Sequence, residues 1–286
     1  MTLLQQNAVS LASLTSFKIG GTAREYYEPL DLEELRELLK QLHRCGKSPF
    51  VLGGGANTLF PDGQFSRPVI STARLRGLTI SENIIRAECG VGLGSLIRAA
   101  VQQGLAGLES LVGIPGTAGG AVAMNAGGSG HSFGDHVKEL GLLPIDGSPL
   151  VRRRGSDINW TYRSANLGLN VVAWVALELS PGSPTDLRSR AREFMRRKSN
   201  TQPLGVPSAG CIFRNPPGLS AGKIIDQLGL KGMCCGGARV SERHANFIVN
   251  ENGFAKAADV LTLLKEVRSR VERSLGIRLE TEIVLA

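Results

Sequence analysis

Leucines at 32, 35, 38, 39 and 42 recur at the three- and four-residue spacing of one helix face, with charged residues between them. Asp31 followed three residues later by Glu34 reads as a capping box, and Gly46 as a stop, so the pattern predicts a helix over 31–45. Short apolar runs bounded by Gly, Pro or Ser predict buried strands at 49–52, 69–71, 84–89, 140–143, 171–179 and 247–250, with a last one at 279–285. Helical spacing returns at 96–103, after the turn Gly90-Val91-Gly92-Leu93-Gly94, and over 255–275. In that last helix Val260, Leu264, Val267, Val271 and Leu275 are the expected buried row. The stretch 202–217 reads as a loop. Ser180-Pro181-Gly182-Ser183-Pro184 is the best linker candidate, and a domain boundary is placed there. Alternating strands and helices with glycine turns predict an α+β or α/β protein of at least two domains, without internal repeats.

Composition sharpens the picture in three places. Glycine is in excess, 36 of 286 residues, roughly 13% where about 7% is usual. These glycines cluster without a collagen-like period, so they mark tight loops near a ligand. The net charge is +8, which suits anionic partners, either nucleic acid or phosphorylated small molecules. Its densest run, 188–198, holds six basic residues broken by Glu193 and reads as the solvated face of a helix. It is not read as a nucleic-acid surface, because no series of aromatics interleaves with it. The five cysteines, Cys45, Cys89, Cys211, Cys234 and Cys235, are odd in number and form no CxxC pair, as expected of reduced thiols in a cytosolic protein. No run approaches the roughly 20 apolar residues of a membrane span, and the first twenty residues do not read as a secretory signal. A soluble, cytoplasmic protein is the expectation.

Two glycine-rich segments carry the candidate chemistry. Gly53-Gly54-Gly55-Ala56-Asn57 follows a predicted strand, and its successive N–H groups can form an anion-binding concavity with no Cβ in the way. The segment 113–127, with Pro115, Gly116, Gly119, Gly120, Ala121, Asn125 and Gly127, repeats that chemistry at greater length. Two such loops can cradle a pyrophosphate from both sides. The nearest match to a dinucleotide fingerprint, Gly90-Val91-Gly92-Leu93-Gly94-Ser95, has Ser95 where the third glycine is required. No Walker A loop and no G-x-S-x-G elbow occurs. His43, His131, His136 and His244 lack metal-ligand spacing, and His244 reads as a loop-ordering residue.

The order of these segments resembles the UDP-N-acetylenolpyruvoylglucosamine reductase (MurB) family over almost the whole chain, and the length is similar to its shorter subtype. Thr15-Ser16-Phe17-Lys18-Ile19-Gly20-Gly21 resembles the family's opening strand, and Gly53 to Asn57 and 113–127 resemble its two FAD pyrophosphate loops. Tyr162-Arg163-Ser164 resembles its catalytic motif, and 207–216, around Cys211, its proton-donor loop. Residues 221–226 and 240–247 continue the match, and Leu279-Glu280-Thr281-Glu282-Ile283 resembles the segment that carries a catalytic glutamate.

The resemblance implies an α+β chain with a PCMH-type FAD-binding domain over 1–180, in lobes of about 1–75 and 76–180. A smaller α/β substrate-binding domain would follow over 181–286. It implies FAD and NADPH as cofactors, a UDP-sugar as substrate, no nucleic acid, no membrane insertion and no obligate protein partner. The implied activity is reduction of an enolpyruvyl group for peptidoglycan synthesis, hence cell-wall biogenesis, cell shape and cell division. Gly53, Gly54, Gly55, Ala56, Asn57, Pro115, Gly116, Gly119, Gly120, Ala121, Asn125 and Gly127 are the implied cofactor contacts. Tyr162, Arg163, Asn215 and Lys223 are the implied substrate contacts, and Arg163, Cys211 and Glu282 the implied catalytic residues. Serine is common at the proton-donor position, and here Cys211 stands in its place. Two alternatives remain, another PCMH-type FAD oxidoreductase and a UDP-sugar-binding protein without catalysis.

Overall fold

The computed structural model describes residues 5–128 and 130–286. They form two compact units, each assembled from separate stretches of chain. The first comprises the chain up to Asn7, Glu25–Gly54 and Arg67–Arg197. The second comprises Ala8–Arg24, Gly55–Ser66 and Lys198–Ala286.

In the first unit the leucine pattern makes the helix Leu32–Arg44, with Leu35, Leu38, Leu39 and Leu42 buried. The Asp31 carboxylate accepts from the Glu34 N–H at 2.8 Å, and Glu34 reaches back to the Leu30 N–H at 2.6 Å. A four-stranded sheet in the order Gln5–Gln6, Tyr26–Tyr27, Val69–Ser71, Phe50–Leu52 is parallel across its last three strands. A five-stranded antiparallel sheet follows, in the order Val151–Arg154, Val137–Pro144, Asn170–Glu178, Ile84–Glu88, Leu78–Ser81.

Strand Asn170–Glu178 explains the continuous apolar run in the sequence, since 171–177 are buried on both faces. Ala173, Val175 and Leu177 point to one side, with the helices Leu93–Gln102 and Ala118–Ala123 belonging to the same core. Trp174 points to the other side, beneath the guanidiniums of Arg86 and Arg152, 3.9 and 5.7 Å from its ring. Gly141 lies opposite Trp174, where a Cβ would land 2.2 Å from the indole.

The proposed linker is ordered structure. Ser180–Pro181 pairs antiparallel with Leu105–Ala106, where the absent proline N–H is tolerated on so short an edge. Pro184 then opens the helix Pro184–Thr201. The passage between compact units falls inside that helix, at Arg197 and Lys198. Its basic residues are mostly exposed, and Phe194, the one aromatic in the run, is half-buried.

The second unit is built on the antiparallel sheet Ser208–Cys211, Phe247–Val249, Ala238–Val240, Cys234–Cys235. The helices Ala221–Gln227 and Ala257–Leu275 share its core. Residues 202–217 are therefore not all loop. Within the last helix Val260, Leu264, Val267 and Val271 are buried as expected, together with Leu263. Leu275 is 48% exposed, because the final turn projects past the core before Gly276 ends it. The expected opening strand at 15–21 is a turn followed by irregular chain, with Lys18 at φ +57°. The strand Thr22–Ala23 begins just after it. The last expected strand, 279–285, is regular only at Val284–Leu285, which pairs parallel with Thr58–Leu59.

Asp62 supplies the cap that the sequence did not reveal. Its carboxylate accepts from the N–H groups of Ala257 and Ala258, at 2.6 and 3.0 Å, where the helix leaves donors unpaired. Asp62→Ala is expected to cost about 1–2 kcal/mol. A lower urea midpoint with an unchanged slope would register it, and an unchanged midpoint would contradict it. Among the described residues no helix is long and apolar enough to cross a membrane, and no group of three or more His, Cys, Asp or Glu gathers as a metal site.

Candidate functional site

In the first unit the strand Phe50–Leu52 delivers Gly53 and Gly54 against the second glycine segment. A Cβ on Gly53 would lie 2.7 Å from Thr117 Oγ1, and one on Gly54 would lie 2.8 Å from Gly116 Cα. Only glycine lets two backbones approach this closely. Thr117 caps the helix Ala118–Ala123, its hydroxyl accepting from the Gly120 N–H at 3.4 Å. The N–H groups of Ala118 and Gly119 are taken by the Val91 and Cys89 carbonyls. Among the described residues those of Gly53, Gly54 and Gly116 donate to no protein acceptor. Pro115 and Gly54 are exposed, and Gly53, Gly116, Gly119 and Gly120 are half-buried, while Ala121 is buried. The two segments thus present bare backbone and unpaired donors, which suits an anion.

The same unit places Tyr162 and Arg163 on a tight turn closed by Thr161 and Ser164, whose backbones bond at 2.8 and 3.2 Å. Arg163 has φ +60°. Its Nη1 donates to the Gly127 carbonyl at 3.2 Å, and its guanidinium lies 5.0 Å from the Tyr162 ring. Tyr162 is 48% exposed. Trp160 anchors the start of the turn, donating from its indole to the Gly155 carbonyl at 2.8 Å. Asn125, expected to contact cofactor, is buried with both polar atoms on protein partners, the Thr161 carbonyl and the Gly134 N–H.

The first glycine loop continues into the second unit as Gly55, Ala56 and Asn57. Asn57, another expected cofactor contact, donates its amide to the Glu282 carbonyl at 3.1 Å, and its own carbonyl accepts from the Val284 N–H at 2.9 Å. One residue thereby fixes both sides of Ile283. Glu282 also donates its N–H to the Ile212 carbonyl at 2.7 Å, and Arg214 donates to Glu280 at 2.9 Å, so Phe213 faces Thr281. Residues 279–285 change partners midway, from the 212–214 stretch to the 57–59 stretch, and so cannot form one regular strand.

This arrangement sets Glu282 beside Ile212, next to half-buried Cys211. The Cys211 stretch is irregular, with Gly210 at φ +76° and a register shift between Ser208 and Cys211. Buried Asn246 holds it, accepting from the Phe213 N–H at 3.0 Å and donating to the Phe213 carbonyl at 2.8 Å. His244 orders the preceding turn, its Nδ1 accepting from the Asn246 N–H at 3.2 Å. Burial lowers its pKa, favouring the neutral imidazole. Asn215 accepts from the Ala221 N–H at 3.0 Å at the start of the helix Ala221–Gln227, and Lys223 is exposed on that helix.

Asn246 and the side-chain work of Asn57 and Asn125 escaped the sequence reading. The available signal was an asparagine in the apolar run Ala245-Asn246-Phe247, where an unpaired amide would be costly.

Fold and glycine segments together define a two-domain FAD-binding protein. The model described as "FAD binding domain" matches residues 23–151. That of the UDP-N-acetylenolpyruvoylglucosamine reductase C-terminal domain matches 202–286. The UDP-N-acetylenolpyruvoylglucosamine reductase of Moorella thermoacetica is 41% identical over 274 residues, covering 96% of this chain and 90% of its own. That of Alkalilimnicola ehrlichii is 39% identical, covering 96% and 91%. The crystal structure of the Thermus caldophilus enzyme, 33% identical, superposes with a TM-score of 0.84 and covers 100% of this chain and 99% of its own. The chain belongs to the UDP-N-acetylenolpyruvoylglucosamine reductase family.

FAD fits the residues present, because the bare glycine backbone of 53–54 and 116 offers unpaired N–H groups to a pyrophosphate.

Proposed function

We propose that this chain is a UDP-N-acetylmuramate dehydrogenase, reducing the enolpyruvyl ether of UDP-N-acetylenolpyruvoylglucosamine to the lactyl ether with electrons from NADPH. The observation that carries the reading is the whole-chain likeness to a solved reductase, at a TM-score of 0.84 and 33% identity. FAD, when bound, would supply two-electron redox chemistry linking NADPH to the enolpyruvyl group. The cofactor contacts assigned on this reading are Gly53, Gly54, Gly55, Ala56, Asn57, Pro115, Gly116, Gly119, Gly120, Ala121 and Gly127; Asn125 is left out, because both atoms of its side-chain amide are taken by the Thr161 carbonyl and the Gly134 N–H. The FAD-binding domain is assigned to the chain up to about 180, which also carries Tyr162 and Arg163, and the substrate-binding domain to the chain beyond it. The same reading places the enzyme in the cytoplasm, with small-molecule partners only, serving peptidoglycan synthesis and so cell shape and division.

The protein's residues handle charge and protons. Hydride addition to the terminal carbon pushes electron density onto the substrate carboxylate. Arg163 binds that carboxylate and stabilises the added charge, its guanidinium held by the Gly127 carbonyl and lying near the Tyr162 ring. Glu282, protonated or bridging, shares the second carboxylate oxygen. Cys211 delivers a proton to the carbon that bears the ether oxygen, completing saturation. Tyr162, Asn215 and Lys223 hold the UDP-sugar.

The direct test is spectroscopic. Under anaerobic conditions NADPH is expected to bleach the flavin, and the enolpyruvyl UDP-sugar to restore its colour with formation of the lactyl ether. Bleaching without restoration would favour another FAD oxidoreductase, and a protein without flavin a binding protein.

Purified protein is expected to be yellow, with FAD held non-covalently, since neither glycine loop contains a His or Cys to tether it. Acid or heat should release all the flavin, identifiable as FAD by mass. Flavin retained on the denatured chain, or FMN in its place, would contradict this.

A further inference from the structure

Asn125 occupies an unusual position. It is 7% exposed, and its backbone sits at φ +39°, a region that glycine and asparagine tolerate far better than other residues. Its Nδ2 donates to the Thr161 carbonyl at 3.0 Å, and its Oδ1 accepts from the Gly134 N–H at 3.0 Å. The partners, a carbonyl and an N–H, fix which way the amide points. Its own N–H bonds to Val122 in the glycine-rich helix, and two residues later Gly127 accepts from Arg163. A single buried residue therefore joins three elements, by its side-chain amide the 3₁₀ turn Phe133–His136 and the turn that carries Arg163, and by its backbone the end of helix Ala118–Ala123.

We infer that Asn125 is a positioning residue for Arg163, holding the 161–164 turn so that the guanidinium meets the substrate carboxylate. The inference rests on Arg163 being the group that binds that carboxylate. Burial of Asn125 makes the link firm, since a buried side-chain amide that lost its Thr161 partner would be left with an unsatisfied donor. Arg163 at φ +60° lies in a sparsely populated backbone region, so the turn depends on its surroundings to keep that form.

The test uses holoenzyme carrying Asn125→Gly, which tolerates the positive φ while removing both side-chain bonds. FAD content and flavin reduction by NADPH are expected to match wild type. Reoxidation by the enolpyruvyl substrate should slow by about 10- to 100-fold, the scale on which displacing a positioned group acts. Calorimetry supplies a readout independent of turnover. Affinity for the lactyl product should fall about tenfold, while affinity for the same UDP-sugar lacking the three-carbon acid stays unchanged. In an Arg163→Ala background, adding Asn125→Gly should have no further effect, because the residue acts through the arginine. Additive slowing, equal weakening of both ligands, wild-type behaviour or loss of FAD would each overturn the proposal. If Asn125→Gly does not fold, Asn125→Asp carries the same test, since it keeps the acceptor for Gly134 and loses the donor to Thr161. Arg163→Ala with wild-type reoxidation would instead overturn the carboxylate reading, and this inference with it.

Discussion

Cys211→Ala is expected to let NADPH reduce the flavin at the wild-type rate, yet to lose product formation by two or more orders of magnitude, about 3 kcal/mol or more in the barrier. Cys211→Ser should keep substantial activity, since a hydroxyl can reach the same carbon. An ordinary thiol, with a pKa of about 8.5, is better matched to proton donation at neutral pH than a serine hydroxyl. The fold supports a working rather than a packing thiol. Cys211 is half-buried on an irregular strand end held by Asn246 and flanked by the Glu282 segment. Cys89 offers the contrast, since burial pushes its thiol up to about 12. Alkylation should inhibit wild type and be blocked by bound UDP-sugar. Cys45 and Cys234 are exposed and Cys235 is half-buried like Cys211, so Cys211→Ser, which should resist inactivation, is the control. Wild-type turnover by Cys211→Ala would assign the proton to water or another side chain.

Replacing Arg163 or Glu282 by Ala should slow flavin reoxidation by the enolpyruvyl substrate by about 10² to 10⁴, the range for removing one group that stabilises developing charge. Flavin reduction by NADPH should change little, because charge accumulates on the substrate carboxylate only in the second half-reaction. Stopped-flow absorbance at the flavin band separates the halves. Equal slowing of both would mean that these residues hold the flavin or the fold. For Arg163 the backbone supplies the reason to expect a large effect: its Nη1 is held by Gly127, and the residue adopts a conformation that few side chains tolerate.

The sequence determined what local chemistry controls. Leucine spacing with Asp31 and Glu34 set the first helix, and the uninterrupted run at 171–177 marked a strand buried on both faces. The two glycine segments announced themselves because only glycine permits the approach of Gly54 to Gly116. Cys211 and Glu282 were legible as motif positions. Their adjacency was not, because it depends on 279–285 pairing first with 212–214 and then with 57–59, contacts across more than sixty positions in sequence. Ser180 to Pro184 read as a linker by composition, yet tertiary pairing with Leu105–Ala106 makes it a strand edge and a helix start. The asparagines show the same limit. Asn57 and Asn125 lie in segments that composition marks as ligand loops, but an amide bonds to whatever carbonyl or N–H the fold brings within reach. Long-range folding brought the Glu282 and Thr161 carbonyls, and that alone decided what the two side chains hold.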